Sequence, residues 1–477
     1  MNFRMIKNIL GWILIFEAGF MALPLLTAAI YWEEVFFSFL ISMGICLLIG
    51  FLLILGKPKD RTLYSRDGFI IVALSWVVLS IFGALPFYIS REIPSYLDAL
   101  FETVSGFTTT GASILGEVES LSHATLLWRS FTNWVGGMGV LVFVMAFVPL
   151  SGGNNLHIMK AESPGPSVSK LVPKVRTTAL ILYLIYIALT LIEMVLLLFG
   201  GMSLFDAVNA AFATAGTGGF GVKNNSFGGY SSYCQIVVTV FMLLFSINFA
   251  SYYLILMKKF KDAFTSEVKA FIGIVVALIA IITINSYGLF DSLGEAIKHV
   301  SFSVASIIST TGFATVDFNQ WPELSRLCLV LAMFIGACAG STGGGLKVSR
   351  ILISLKSIGK EISLMIHPRQ VKKVMIDKRP IEHEIVRATN VYMVCYVLIF
   401  VASMLLISFE NHDLVTNFTA VAATINNIGP GLELVGPTSN FGFFTSFSKI
   451  VLIFDMLVGR LELFPMLVLF FPGTWKK

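Results

Sequence analysis

Charge is scarce in this sequence. Only 13% of its 477 residues are Asp, Glu, Lys or Arg, whereas a soluble chain carries about 25%. With 56% hydrophobic residues and a mean hydropathy of +0.85, that deficit excludes an ordinary soluble protein and implies an integral membrane protein. Histidine is sparse too: six residues, dispersed, no two of them spaced i, i+4. No His/Asp/Glu cluster has metal-site spacing and no nucleophile–base pattern occurs, so a membrane enzyme is the weakest of the function classes. Cys46, Cys234, Cys328, Cys338 and Cys395 lie in apolar segments without a C-x-x-C pair, which leaves them as buried bystanders rather than redox or zinc ligands. A phosphate-binding loop is missing as well. "GSTGGGLK" (340–347) puts Leu346 between the last glycine and Lys347, and it follows an apolar run rather than a strand. "GTGGFG" (216–221) matches a dinucleotide pattern by letter only, because it sits on the outer side after a short helix. The net charge of +5 is explained by its placement along the chain, and no nucleic-acid partner follows from it.

What the chain has instead is long apolar runs. A helix needs about 20 apolar residues to cross a bilayer. Runs of that length lie near 9–32, 35–56, 69–89, 128–150, 178–200, 233–257, 270–290, 326–346, 391–409 and 447–471. The first is too long for a signal peptide and lacks a clean cleavage site, so it reads as a retained helix. With the N-terminus inside, 26 Lys and Arg fall on the inner side and 6 on the outer, with Arg460 inside the last span. That asymmetry places both termini in the cytoplasm. The expected fold is an all-α polytopic membrane protein with ten transmembrane helices.

Four short pieces echo one another: "TTTGA" (108–112), "GTGGF" (216–220), "STTGF" (309–313) and "NNIGP" (426–430). Aligned on Gly111, Gly219, Gly312 and Gly429, the first two repeats match without a gap, with Asp98 over Asp206. About eleven small or apolar helix formers precede each echo, a helix of roughly 16 Å. That is about half of a ~30 Å hydrocarbon core, so the segment dips in and returns. Non-helical backbone at that depth must be buried in protein or line a watery cavity. Two N-terminal helices (1–66) are therefore expected before four quasi-repeated helix–pore-loop–helix units around one pore. The units are 67–155, 156–262, 263–365, with an intramembrane loop at 336–346, and 366–477.

Glycine lets backbone carbonyls turn toward an axis, and rings of carbonyls replace the hydration shell of an alkali cation. Each half-helix would aim its partly negative C-terminus at the membrane centre and favour a cation there. The echoes hold no Asp or Glu, which argues against a carboxylate site for divalent ions. The alternative is that these small residues only ease helix packing. The same two readings apply to "IGACAGSTGGGLK" (335–347), whose glycine density is unfavourable in a regular helix. A broken helix with a mobile loop is the first, close helix packing the second.

The motifs "SGFTTTGAS" (105–113), "ATAGTGGFG" (213–221), "SIISTTGFAT" (306–315), "ATINNIGPGL" (423–432), "AGSTGGGLK" (339–347) and "GRLELF" (459–464) resemble the Trk/Ktr/HKT superfamily of cation transporters. The match is to its TrkH-type potassium uptake subunits and covers nearly the whole chain. The two extra N-terminal helices are similar to TrkH rather than to the shorter KtrB form. The resemblance implies channel-like K⁺ uptake by a homodimer with one pore per subunit, in a prokaryotic cytoplasmic (inner) membrane. It implies TrkA-type cytoplasmic nucleotide-binding subunits as partners. No cofactor is expected in this chain, and ATP/ADP or NAD(H) is expected only on that partner. Carried over by position, the K⁺-binding filter is Thr109, Thr110, Gly111; Thr217, Gly218, Gly219; Thr310, Thr311, Gly312; and Asn427, Ile428, Gly429. Glycine in all four repeats resembles the potassium-selective members, since some Na⁺-preferring relatives have Ser in the first. The implied gate is the glycine loop with Gly340, Ser341, Thr342, Gly343, Gly344, Gly345 and Lys347.

A charge in mid-span costs at least ~2.5–3.5 kcal/mol, so Arg460 should face protein or water. It is expected below the filter, near the glycine loop, where it repels passing cations, unless Asp455 or Glu462 holds it in a structural ion pair. The basic segment 347–390, with "HPRQVKKVMIDKRP" (367–380) at its heart, offers a grip for a cytoplasmic regulator or for anionic lipid. A cation-coupled K⁺ secondary transporter, a symporter with Na⁺ or H⁺, is the competing function. Glu17, Glu193 and Asp455 would be its carboxylates, although none recurs across the repeats.

Overall fold

A computed structural model describes residues 1–56, 64–137, 139 and 175–475. The described residues fold mostly into helices. The first two, α1 (Phe3–Ile30) and α2 (Phe36–Ile54), pair with each other, and Asn2 caps α1 by accepting from the Met5 N–H at 3.1 Å. Then come α3 (Ser65–Gly83), α4 (Leu85–Ile89), α5 (Tyr96–Phe107) and α6 (His123–Gly137). After the gap follow α7 (Val175–Phe199), α8 (Leu204–Gly216), α9 (Ser232–Phe245), α10 (Phe249–Leu256) and α11 (Phe260–Ala263). The next elements are α12 (Ser266–Ser286), α13 (Leu293–Ile308), α14 (Glu323–Ile335) and α15 (Val348–Ile366). A two-stranded hairpin, β1 (Met375–Ile376) and β2 (Arg379–Pro380), leads to α16 (His383–Ile407), α17 (Leu414–Ile425), α18 (Ser446–Arg460) and α19 (Phe464–Phe470).

Among the described residues, six helical segments are long and apolar enough to cross a bilayer: 3–30, 36–54, 66–89, 178–199, 266–289 and 383–410. A seventh counts if α9 and α10 form one span, although they meet at a bend of 93°. Exposed leucines, isoleucines and valines stud their outer faces, among them Leu48, Ile284, Val394, Leu398 and Leu405. So much apolar surface is what a lipid-facing protein presents. The chain is thus a multi-pass membrane protein.

Three of the remaining expected spans are interrupted, and the fourth lies partly outside the described residues. The run at 128–150 begins within α6, and its second half lies outside the described residues, as do the repeat boundary drawn at 155/156 and most of the basic segment 151–177. The run at 326–346 is helical only to Ile335 and stops at Gly336, where φ is +67°. The run at 447–471 breaks after Arg460, with Glu462 and Leu463 both at positive φ. The run at 233–257 was expected as one helix and is instead bent. It contains neither Gly nor Pro, and the cause is tertiary. Asn248 caps α10 through the Ala250 N–H at 2.8 Å. The freed backbone groups pair with the glycine loop: Cys338 N to Ser246 O at 3.0 Å, and Phe249 N to Gly340 O at 3.0 Å. Backbone that leaves the helix inside a membrane persists only where protein satisfies it in this way.

Four short helices occupy the positions before the echoes: α5, α8, α13 and α17, of 12, 13, 16 and 12 residues. At ~1.5 Å per residue they reach roughly 18–24 Å, short of a ~30 Å core. Each starts at a capping side chain: Ser95, Ser203, Ser292 and Asp413 accept from the N–H three residues on. Such caps satisfy donors that a helix start leaves open. The third cap lies one turn further from its glycine, so α13 is longer than the eleven residues expected.

Candidate functional site

The four short helices end alike. The N–H groups of Thr110, Gly218, Thr311 and Ile428 bond back to the carbonyls of Ser105, Ala213, Ser306 and Ala423 at 2.8–2.9 Å. This is the six-to-one closure of a Schellman-type C-terminus. It requires a left-handed residue just before, a place usually taken by glycine. Here the places belong to Thr109, Thr217, Thr310 and Asn427, at φ +54°, +53°, +63° and +55°. A branched residue in that region costs of order 1–3 kcal/mol, and strain of this kind gathers at functional sites. Two residues on, Gly111, Gly219, Gly312 and Gly429 also have positive φ, +77°, +71°, +86° and +93°. Eight backbone positions in four separate segments thus share one conformation in register.

The four loops also close on one another. A Cβ on Gly111 would meet the carbonyl oxygen of Gly218 closer than 3.0 Å. On Gly219 it would meet that of Thr311, on Gly312 that of Ile428, and on Gly429 that of Thr110, each within the same limit. The sequence of contacts runs repeat 1 to 2, 2 to 3, 3 to 4 and back to 1. Four glycines and four carbonyls therefore alternate around a ring, and no larger residue fits at the glycine places. Hydroxyl pairs brace two of the strands: Thr108 with Thr110 at 2.8 Å and Ser309 with Thr311 at 2.7 Å. Asn427 donates to the Thr110 hydroxyl at 2.9 Å and ties the fourth loop to the first. All four glycines border one basin of about 180 Å³.

The other face of the ring is occupied. The Gly344 N–H donates to the Thr310 hydroxyl at 2.7 Å, and Gly345 N–H to the Asn426 carbonyl at 3.1 Å. Arg460 donates to the Thr109 hydroxyl at 3.1 Å, to the Thr342 carbonyl at 2.8 Å and to the Gly136 carbonyl at 2.7 Å. Ser341 donates to the Cys338 carbonyl, Thr342 to that of Phe245, and buried Lys347 to that of Gly343. The space left among Arg460, Lys347, Asn427 and Gly343–Gly345 is about 30 Å³, room for one or two waters. The structure therefore places Arg460 and the glycine loop together, directly beneath the ring. The acids considered as partners of Arg460 have other contacts: Asp455 accepts from Ser403 at 2.6 Å, and Glu462 pairs with Arg350.

Several site residues carried no sequence signal. Oε1 of Glu267 accepts from both the Ala339 N–H at 2.7 Å and the Ser349 N–H at 3.1 Å, so one carboxylate holds both ends of the glycine loop. Next to it, the Ser266 N–H donates to Asp377 at 2.7 Å, in the turn of the β1–β2 hairpin within the basic segment. Arg350, at the start of α15, pairs with Glu462 and lies 3.9 Å over the Tyr392 ring. Above the ring, Glu102 and Arg129 form a buried pair at 2.7 Å. The half-helix pattern points to Glu102 only as a neighbour of the loop, and Glu462 enters the sequence reading as a possible partner of Arg460 rather than of Arg350. Glu267 opens an apolar run like any helix-start acid. No group of three or more His, Cys, Asp or Glu able to hold a metal ion occurs among the described residues.

Comparison with known proteins gives a consistent result. A family model described as the cation transport protein TrkH matches residues 36–476. The Trk system potassium uptake protein TrkH of Salmonella typhimurium (strain LT2) is 37% identical, over 100% of both chains. The Trk system potassium uptake protein TrkG of Escherichia coli (strain K12) is 33% identical over 99% of each. The crystal structure of the potassium transporter TrkH from Vibrio parahaemolyticus superposes with a TM-score of 0.89 at 34% identity, covering both chains fully.

Proposed function

The chain belongs to the TrkH family of cation transport proteins, and from that premise we propose that it takes up K⁺ through the ring of four loops. The observation that carries this reading is the closed alternation of Gly111, Gly219, Gly312 and Gly429 with the carbonyls of Gly218, Thr311, Ile428 and Thr110. Backbone oxygens at one level around an axis replace the water of a dehydrated alkali cation. The helix C-termini that deliver them add negative potential at the same point. The proposed filter is Thr109–Gly111, Thr217–Gly219, Thr310–Gly312 and Asn427–Gly429.

Conduction is channel-like in this reading, and the glycine loop with Arg460 and Lys347 is the gate. A cation leaving the ring inward meets two positive side chains and a space of about 30 Å³, so the arrangement described is closed. Ten spans with both termini cytoplasmic fit the 26-to-6 distribution of basic residues. In that topology the β1–β2 hairpin faces the cytoplasm of a prokaryote. A nucleotide-binding regulatory subunit pulling on it would act on Ser266, then Glu267, then the loop. Assembly as a homodimer completes the proposal.

Coupled transport is the second reading, favoured by the burial of Glu17, Glu193 and Asp455 inside the protein. None of the three borders either the basin or the chamber under the ring, and this supports the channel instead. Reconstituted protein with rubidium uptake against an outward K⁺ gradient tests the choice. Uptake that follows the K⁺ gradient alone, blocked by K⁺ and altered in Gly312→Ser, supports the filter. Uptake that requires a Na⁺ or proton gradient refutes channel-like conduction.

A further inference from the structure

Two residues above the ring, the strands of the first and second loops are held by one buried charge pair. Glu102 lies on α5, in the half-helix of repeat 1, and Arg129 on α6, the helix that follows that loop. Their side chains are 0% and 2% exposed. Arg129 Nε donates to Glu102 Oε1 at 2.8 Å, and the same carboxylate accepts from the Ser113 hydroxyl at 3.0 Å and the Ile114 N–H at 3.1 Å. These contacts grip the return strand of loop 1. The other edge of the guanidinium donates to the Gly221 carbonyl at 3.2 Å and lies 4.3 Å over the Phe220 ring. These contacts grip the return strand of loop 2. Ser113 and Gly221 are each two residues beyond their ring glycines, so both strands are caught at the same level. One turn further along α6, Asn133 repeats the bridge, donating to the Gly106 carbonyl at 2.9 Å and accepting from the Phe220 N–H at 3.2 Å.

Among the described residues, other seams carry charge bridges that are more exposed, Arg326 with Glu433 between repeats 3 and 4 and Lys449 with Asp98 between repeats 4 and 1, and none has a carboxylate at the place of Glu102. Counting back nine residues from each ring glycine, the place of Glu102 is taken by Ala210, Ser303 and Ala420. The pair is therefore a local addition to a quasi-symmetric ring. Stability does not account for it, because a buried ion pair is often no better than well-packed apolar side chains. Geometry does. The fork of an arginine fixes two partners in one plane, and a charged network leaves little positional freedom.

Resting on the filter reading above, we propose that Glu102 and Arg129 are positioning residues that fix the spacing of the Thr110 and Gly218 carbonyls and so set the preference for K⁺ over Na⁺. Na⁺ is the smaller ion and requires the ring to contract. A seam bolted two residues above the ring resists that contraction, and the bolt carries no net charge to repel the cation passing beside it.

The test is uptake of rubidium and of sodium by reconstituted, monodisperse protein. Four variants are compared with the unmodified chain: Glu102→Gln/Arg129→Gln, Arg129→Lys, Ser113→Ala and Gly312→Ser. The double substitution removes both charges at once, so no stranded arginine depresses all cation flux. The expected result is a rubidium-to-sodium ratio lowered about tenfold, equivalent to ~1.4 kcal/mol, with rubidium uptake retained. Arg129→Lys, which keeps the charge and loses the fork, lowers the ratio in the same direction, and Ser113→Ala does so to a smaller extent. A ratio unchanged in the double variant, while Gly312→Ser changes it, overturns the proposal and leaves the filter standing. A ratio unchanged in Gly312→Ser as well refutes the filter itself. If the double variant is not recovered folded, Ser113→Ala decides alone, and an unchanged ratio there overturns the proposal.

Discussion

Arg460→Gln should open a leak. Arg460 stands under the ring with its guanidinium 3.1 Å from the Thr109 hydroxyl, so a cation at the inner mouth of the ring would lie ~5 Å from it. At an effective dielectric constant of about 20, two unit charges ~5 Å apart repel by ~3 kcal/mol. Every ~1.4 kcal/mol is a factor of ten in rate, so removing the charge should raise basal rubidium flux by up to about a hundredfold. The glutamine also loses the fork that reaches both the Thr342 and Gly136 carbonyls, which loosens the loop in the same direction. Arg460→Lys separates the two effects, since it keeps the charge and loses the fork. The assay is initial rubidium uptake into liposomes without any partner subunit. Flux should rank glutamine well above lysine and lysine near the unmodified protein. Equal flux for lysine and glutamine would show that charge is irrelevant and that only the hydrogen bonds matter. Flux unchanged in both, with normal reconstitution, would refute the placement of the gate at this residue.

Gly219→Ala should abolish conduction, because its Cβ would collide with the Thr311 carbonyl and its φ of +71° disfavours any side chain; rubidium uptake at background level in a correctly assembled protein is the expected readout. Glu267→Gln keeps the size of the side chain but loses the charge on the hydrogen bonds to Ala339 and Ser349. Such bonds are about twice as strong as neutral ones, so amide hydrogen exchange at 338–349 should accelerate and basal uptake should rise several-fold. Exchange unchanged in that segment would mean that the carboxylate does not hold the loop.

The ring was legible in the sequence because it is built from local backbone conformation. Four glycines aligned by letter turn out to share positive φ, and four small or polar residues two places before them share the left-handed region. A helix stop writes itself into a few adjacent residues, and so does a helix cap. The bend at Ser246–Asn248 was hidden for the opposite reason. No Gly or Pro marks the break in 233–257, and the one local signal is the Asn248 cap; residues 338–342, almost a hundred positions away, supply the remaining hydrogen-bond partners. Glu267, Glu102 and Arg129 were equally silent. A carboxylate at a helix start or in an amphipathic half-helix has the same letter whether it faces solvent or grips a loop, and only the fold brings Arg129 to Glu102.

The bonds around the glycine loop tie it to the helices that surround the ring. The loop belongs to repeat 3, yet repeats 2 and 4 bond it directly and repeat 1 reaches it through Arg460. Phe245, Ser246 and Phe249 of repeat 2 hold its first half through backbone bonds. Asn426 and Arg460 of repeat 4 hold its second half and its Thr342 carbonyl. Repeat 1 joins through Gly136 and Thr109, both bound to Arg460. The loop fills the chamber under the ring and is tied to the helices of repeats 2 and 4 directly and of repeat 1 through Arg460. Moving the repeat 2 or repeat 4 helices would strip the loop of partners directly, and moving repeat 1 would act through Arg460. A pull delivered only from Asp377 of the hairpin through Ser266 to Glu267 should then release the loop at its two ends before the bonds at Thr310 and Asn426 break. Hydrogen exchange should follow that order, with Ala339 and Ser349 exchanging before Gly344 and Gly345. Simultaneous exchange of all four amides would instead mean that the loop leaves as one rigid piece.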